Sequence, residues 1–339
     1  MRLVTFLHDG VEHVGICQGG WIVDVSAAVD NSEKPFFKDM ISVIKSGEAG
    51  LVAARRALQK PIAAARIRKD DVELLAPMQP STILCSGSNY RDHNAEKANT
   101  PISGKEPEFF IKTSDSVIGP GKPIVYDPQL SRKIDCETEL AIVIGKPGRH
   151  IPKASALDHV FGYTIVNDVT ARDRQVRKTP EGLVWYELGR GKSFDTSAPL
   201  GPEIVTADEI GDSQSLELKT RINGELRQSS NTRNMIWTCA DLIHFFSLSF
   251  TLRPGMMIIT GTPSGTAWSM DKELGGIWGG QPGLVPATRY CEPGDVIESE
   301  IERIGILRNS IIHVDHAMTQ EGDVECKGLA LERRRCSHE

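Results

Sequence analysis

The chain has 339 residues, 40% hydrophobic and 25% charged, with a formal net charge of −6 at pH 7. This is ordinary globular composition, with apolar side chains enough for a sizeable core and length for one large domain plus a smaller one. The mild acidity and the lack of a basic stripe argue against nucleic acid as a partner, and no apolar run reaches the roughly 18 residues of a bilayer-spanning helix.

The first ten residues reach Asp9 too soon for a secretory signal. Cysteines fall at Cys17, Cys85, Cys136, Cys239, Cys291, Cys326 and Cys336, an odd count with no C-x-x-C pair. That pattern disfavours a disulfide framework or a structural zinc site and predicts a cytoplasmic protein.

Residues 1–75 read as a small N-terminal α/β domain. Strand-like runs at Leu3–Leu7, Val14–Cys17 and Trp21–Val25 alternate with glycine turns. A helix is predicted over Phe36–Lys60, with apolar positions Ile41, Val43, Ile44, Leu51, Val52 and Leu58. Residues 61–80, basic and then carrying Pro77 and Pro80, read as a linker.

From Thr82 short β-rich runs recur: Ile83–Cys85, Phe109–Ile111, Leu140–Ile144, Val160–Val166, Leu216–Ile222, Met256–Thr260 and Val296–Ile304. One helix is predicted over Cys239–Leu248, with Leu242, Ile243, Phe246 and Leu248 on its apolar face and Pro254-Gly255 beyond its end. Residues 80–314 therefore predict a mixed, β-rich α+β domain with few helices rather than an alternating βαβ chain. Residues 315–339 read as a loosely held polar tail.

Asp135, Glu137 and Glu139 run straight into the apolar stretch Leu140–Ile144. Residues two apart on a strand share a face, so these carboxylates are expected on one side, where like charges repel unless a cation compensates. The run Tyr163–Asn167 delivers Asp168 at its end. Two carboxylates from one strand and one from another form a hard, oxygen-only donor set suited to Mg²⁺, Mn²⁺ or Ca²⁺ rather than zinc. The alternative is a solvated strand edge carrying ordinary acids.

Several blocks, in order, resemble the fumarylacetoacetate hydrolase family over roughly residues 80–312. They are Cys85-Ser86-Gly87-Ser88-Asn89-Tyr90-Arg91-Asp92-His93, Glu137-Thr138-Glu139-Leu140-Ala141, Asn167-Asp168-Val169-Thr170-Ala171-Arg172-Asp173, Lys192-Ser193-Phe194-Asp195, Thr260-Gly261-Thr262-Pro263-Ser264-Gly265, Pro293-Gly294-Asp295 and Ile306-Leu307-Arg308-Asn309. The resemblance implies mixed β-sheets in a sandwich or roll around a central site, a homodimer, and Glu137, Glu139 and Asp168 as metal ligands. It implies a catalytic pair in His93 and Glu96, spaced one helical turn apart. The polar segment Asn94–Glu108 reads as a lid over the site.

Lys192 is then expected to bind a substrate carboxylate or enolate oxygen. Arg172, Gln175 and the Thr262 turn are candidates for substrate contacts, Tyr90 for an aromatic wall or hydroxyl, and Asn89 for oxyanion stabilisation. Each also has a plain structural reading as an ion pair, a turn or a solvated side chain. Lys112, after Phe109-Phe110-Ile111, has two readings, a place near the site or the more usual solvated lysine at a strand end. The stretch 266–292, with Trp268, Trp278 and five glycines, is longer than the family's usual connection and is expected to shape the pocket entrance or the dimer contact.

The expected reaction is metal-dependent cleavage of a C–C bond in a 2,4-dicarbonyl acid, acylpyruvate-like or fumarylacetoacetate-like, in breakdown of aromatic compounds. His93 and Glu96 would activate water. The alternatives are decarboxylation or isomerisation of a small oxo acid, of oxaloacetate or 2-hydroxydienoate type, and a catalytically silent metal-binding protein.

Overall fold

The β-branched run Thr138–Ile144 forms a strand that is buried at every position. A strand without an exposed face must be covered on both sides, and this one lies at the middle of the molecule. The structure is a computed structural model that describes residues 1–59, 65–96 and 105–315. Nearly all of the expected tail, and residues 97–104 of the expected lid, lie outside the described residues.

Thr138–Ile144 pairs antiparallel with Val160–Asn167 on one side and with Met257–Ile259 on the other. Met257–Ile259 runs parallel to Ile83–Gly87, which pairs with Glu108–Lys112. In the other direction Val160–Asn167 meets Ala198–Thr206, which meets Arg2–His8. The N-terminal strands Arg2–His8, Val11–Gln18 and Trp21–Asp24 thus extend the same sheet, which counts 12 strands. Part of the stretch expected as a linker contributes two further short strands, Arg66–Arg68 and Glu73–Leu74.

A second sheet of five strands takes the order Glu225–Asn231, Glu217–Ile222, Val296–Ile301, Gly305–His313, Ile124–Tyr126. Thr138 stitches the two sheets together: its hydroxyl lies 2.5 Å from that of Thr220 and 2.8 Å from that of Ser299. The fold is a mixed, β-rich α+β roll with few helices, as expected from the strand pattern.

The helix predicted over Phe36–Lys60 is a 3₁₀ turn at Lys34–Phe37 followed by Met40–Gln59. Gly47, at φ 55°, interrupts the latter with a backbone angle that favours glycine. The second predicted helix is Cys239–Ser249, started by a capping box in which Thr238 and Asp241 satisfy each other's backbone N–H. It buries Leu242, Ile243 and Phe246 against the sheet, but Leu248 is 45% exposed. Two residues beyond Phe246 turns a helix through about 200°, which carries Leu248 off the apolar face.

Candidate metal centre

The acidic run does not form one continuous strand. Asp135 ends the short strand Ile134–Asp135, paired with Thr170–Ala171, and regular strand geometry resumes only at Thr138. The break at Cys136-Glu137 sends the Asp135 carboxylate away from its neighbours. It accepts Arg172 Nε–H at 2.8 Å and the backbone N–H groups of Ala267 and Trp268, each at 3.0 Å.

Glu137, Glu139 and Asp168 do converge, each offering an oxygen within 4.8 Å of the others, and all three are buried. Backbone bonds fix the convergence. Asp168 N–H donates to the Glu137 carbonyl at 2.8 Å, and Glu137 N–H donates to Asn167 Oδ1 at 2.9 Å.

Cationic side chains surround this cluster. Lys192, buried, donates to Glu137 Oε2 and to Asp168 Oδ2 at 2.7 Å. Lys112 donates to Asp168 Oδ1 at 2.9 Å. Arg172 adds a bond to Glu137 Oε1, and its Nη1–H meets Gln175 Oε1 at 2.9 Å. Burial pushes the Glu137 carboxyl up, but Arg172 and Lys192 outweigh it and hold that group far below the usual range. Glu139 is driven the other way, by burial first and then by Asp168 and Glu137. Its hydrogen bond is from Gly261 N–H at 2.6 Å, with no cationic donor among the described residues. A buried carboxylate beside two others, lacking a cationic partner, fits a site built for a divalent ion.

His93 lies on the short helix Arg91–Ala95, with Glu96 as the residue that caps it. His93 Nδ1 is 3.1 Å from Glu96 Oε2, and Glu96 Oε1 accepts Gly265 N–H at 2.7 Å. A carboxylate on Nδ1 makes Nε2 the basic nitrogen. His93 is also near enough to Glu137 to help keep that carboxylate ionised. The arrangement places an imidazole beside the carboxylate cluster.

Other expected residues have different tasks. Asn89 donates both amide hydrogens, to the Trp237 carbonyl at 3.0 Å and the Thr260 carbonyl at 2.7 Å, and accepts Trp237 N–H at 2.8 Å. With its donors committed it joins two loops and has none left for an oxyanion. Tyr90 is fully buried in the core with Leu140, Ile142 and Met235, not in a pocket wall, and among the described residues its hydroxyl has no partner. Thr262 donates to the Thr138 carbonyl at 3.0 Å and accepts from Gln228 at 2.9 Å, which leaves at most one lone pair for a ligand.

Of the two readings of Lys112 the structure takes the one near the site: the side chain is fully buried, not solvated, and bonds Asp168. The signal for it was the strand Glu108–Lys112, whose alternation buries Phe110 and Lys112 while Phe109 and Ile111 face outward. The stretch 266–292 lies against the site: Trp268 stacks on Arg172, 4.9 Å from guanidinium carbon to ring centre, and Ile277 N–H donates to the Glu96 carbonyl. Trp268 and Asp135 carried no sequence signal for this contact.

Among the described residues no helix is long and apolar enough to cross a membrane. The described cysteines are free and buried.

The sequence model described as "Fumarylacetoacetate (FAA) hydrolase C-terminal" matches residues 82–312. A Bos taurus protein, "Oxaloacetate tautomerase FAHD2B, mitochondrial", is 38% identical over 319 residues, covering 92% of each chain. Its name puts that relative in mitochondria, whereas the cysteine pattern here predicts the cytoplasm. A fumarylacetoacetate hydrolase from psychrophilic Exiguobacterium antarcticum is 35% identical, with a TM-score of 0.70 over 92% of this chain and 99% of that one. The maleylpyruvate hydrolase of Sphingobium sp. SYK-6, in complex with manganese(II) ion and pyruvate, is 30% identical, with a TM-score of 0.68 over 92% and 99%. With more than half its length matched by the family model and its strands in the same arrangement, this chain belongs to the fumarylacetoacetate hydrolase family.

Proposed function

We propose that this protein is a divalent-cation-dependent isomerase of a small 2-oxo dicarboxylic acid, interconverting the enol and keto forms of oxaloacetate or a close analogue. The observation that carries the reading is the His93–Glu96 pair beside the Glu137, Glu139 and Asp168 cluster. The name of the Bos taurus relative supports the same chemistry. Bond cleavage by water is the weaker reading, because Asn89, the side chain expected to stabilise its oxyanion, has no donor to offer.

Four carboxylates, Asp135, Glu137, Glu139 and Asp168, interleave with three cationic side chains, Lys112, Lys192 and Arg172. The three cations offset three of the carboxylates, and a divalent cation would let Glu139 stay ionised as well and favour a dianionic substrate. Mg²⁺ or Mn²⁺ held by Glu137, Glu139 and Asp168 would supply Lewis-acid polarisation of the 2-oxo group.

The protein's own residues do the rest. His93 Nε2 takes a proton from C3 of the keto form, leaving an enolate, and the imidazolium delivers that proton to the 2-oxygen to give the enol; the reverse path takes the enol O–H proton and returns it to C3. Glu96 stabilises the imidazolium in between and holds the ring in place. Lys192 and Arg172, fixed by the carboxylates, present the remaining N–H groups to the substrate's own carboxylates. Burial of the whole cluster strengthens these charge interactions.

The test is a substrate panel with products identified: enol oxaloacetate, an acylpyruvate, maleylpyruvate and a 2-hydroxydienoate, each with Mg²⁺ and with Mn²⁺. The expected result is fast, metal-dependent conversion of the enol with no release of carbon dioxide. Faster cleavage of acylpyruvate or maleylpyruvate than enol conversion would replace this reading with the hydrolase one.

A further inference from the structure

Arg172 is one of the largest fully buried side chains of the molecule, and it reaches the ligand Glu137 directly. A guanidinium in that place must be held in one plane, because its direction sets the direction of the carboxylate. Two things hold it. Asp135 takes Nε–H, and the Trp268 ring covers the guanidinium face. The same stretch of chain supplies both supports. Ala267 and Trp268 donate backbone N–H groups to the two Asp135 oxygens, so Trp268 fixes Arg172 from the face and, through Asp135, from the edge.

Trp268 is itself pinned. Its Nε1–H donates to the Leu274 carbonyl at 2.9 Å, and the Tyr186 ring meets it edge-on at 6.0 Å. The chain can fold back over it only because Gly276 has no Cβ, which would lie 2.1 Å from the Trp268 carbonyl oxygen. The stretch 266–292 is therefore built to present this ring.

We propose that Trp268 is a positioning residue for the metal centre, acting through Arg172 and Asp135 to orient Glu137. The inference rests on the metal-dependent reading above. A stacked, hydrogen-bonded guanidinium keeps one carboxylate oxygen turned toward the cation site while bonding the other. Removing the ring frees the guanidinium to tilt and Glu137 to follow it.

The experiment is a Mn²⁺ titration of the full-length protein by electron paramagnetic resonance, with thermal melts alongside. Trp268→Leu and Asp135→Asn should each bind Mn²⁺ about tenfold or more weakly, whereas Trp268→Phe, which keeps an aromatic face, should bind within a few-fold of the parent. Should Trp268→Leu fail to fold, Asp135→Asn and Trp268→Phe decide the matter. Tight binding by the parent together with equally tight binding by the leucine and asparagine variants overturns the inference alone. So does equal weakening by leucine and phenylalanine, since the ring face would then be immaterial. A parent protein that binds no Mn²⁺ overturns this inference and the proposed function together.

Discussion

Lys112 Nζ lies 2.9 Å from Asp168 Oδ1, and both side chains are wholly buried. Lys192 holds the other oxygen of the same carboxylate at 2.7 Å. Asp168 is thus fixed from two sides, leaving little freedom in where its lone pairs point.

Breaking that contact should be costly. Lys112→Met leaves a buried carboxylate short of one partner, and losing one member of a buried ion pair typically costs about 3–5 kcal/mol. Urea denaturation of the variant should show a loss of that size. A loss below about 1 kcal/mol would mean that water reaches Asp168 and that the pair is not dry.

Glu96→Gln keeps the shape of the pair and removes its charge. General acid–base contributions run to about 10²–10⁴ in rate, so enol conversion should fall within that range while Mn²⁺ affinity stays near the parent's. Loss of metal binding instead would show that Glu96 serves the cation site and not His93.

Asn89→Ala should be a folding variant, not a substrate variant. It removes a partner from the buried Thr260 carbonyl, where an unsatisfied group costs about 1–3 kcal/mol, and from the part-buried Trp237 carbonyl and N–H. Calorimetry should show a large fall in melting temperature, with KM unchanged in whatever remains folded. A selective rise in KM at unchanged stability would restore Asn89 as a substrate contact.

Acid sensitivity should be traceable to Asp295. Burial pushes its carboxyl up, but bonds from Arg289, from Glu292 N–H and from Asn223 bring it down to about 2. The folded value lies below the unfolded one of about 3.9. The stabilisation is therefore complete above roughly pH 4 and lost as pH falls through about 2. Melting curves for Arg289→Gln and the parent should differ most near neutrality and converge toward pH 2. A gap independent of pH would assign the effect to packing.

The parts of this site that sequence made legible are those set by local spacing. Glu137 and Glu139 are two apart beside a strand, Asp168 sits at a strand end, and His93 and Glu96 are one helical turn apart, so short-range geometry already aims them. The apolar spacing of Leu242, Ile243 and Phe246 that marked the helix Cys239–Ser249 is equally local. What escaped depends on distant partners. Asn89 finds its carbonyls 148 and 171 residues away, and Lys112 finds Asp168 56 residues away. Asp135 was misplaced for another reason: the backbone leaves strand geometry between it and Glu137, and alternation holds only within an unbroken strand.

The central claim is that Glu137, Glu139 and Asp168 hold a cation beside a histidine that moves a proton at C3 of an oxo acid. The most direct measurement is solvent exchange of the C3 hydrogens of oxaloacetate in D₂O, followed by proton magnetic resonance with the protein loaded with Mg²⁺. The account predicts exchange well above background, abolished by chelation and strongly reduced in His93→Ala and Glu139→Gln. Exchange at the background rate with the metal-loaded parent protein would contradict it.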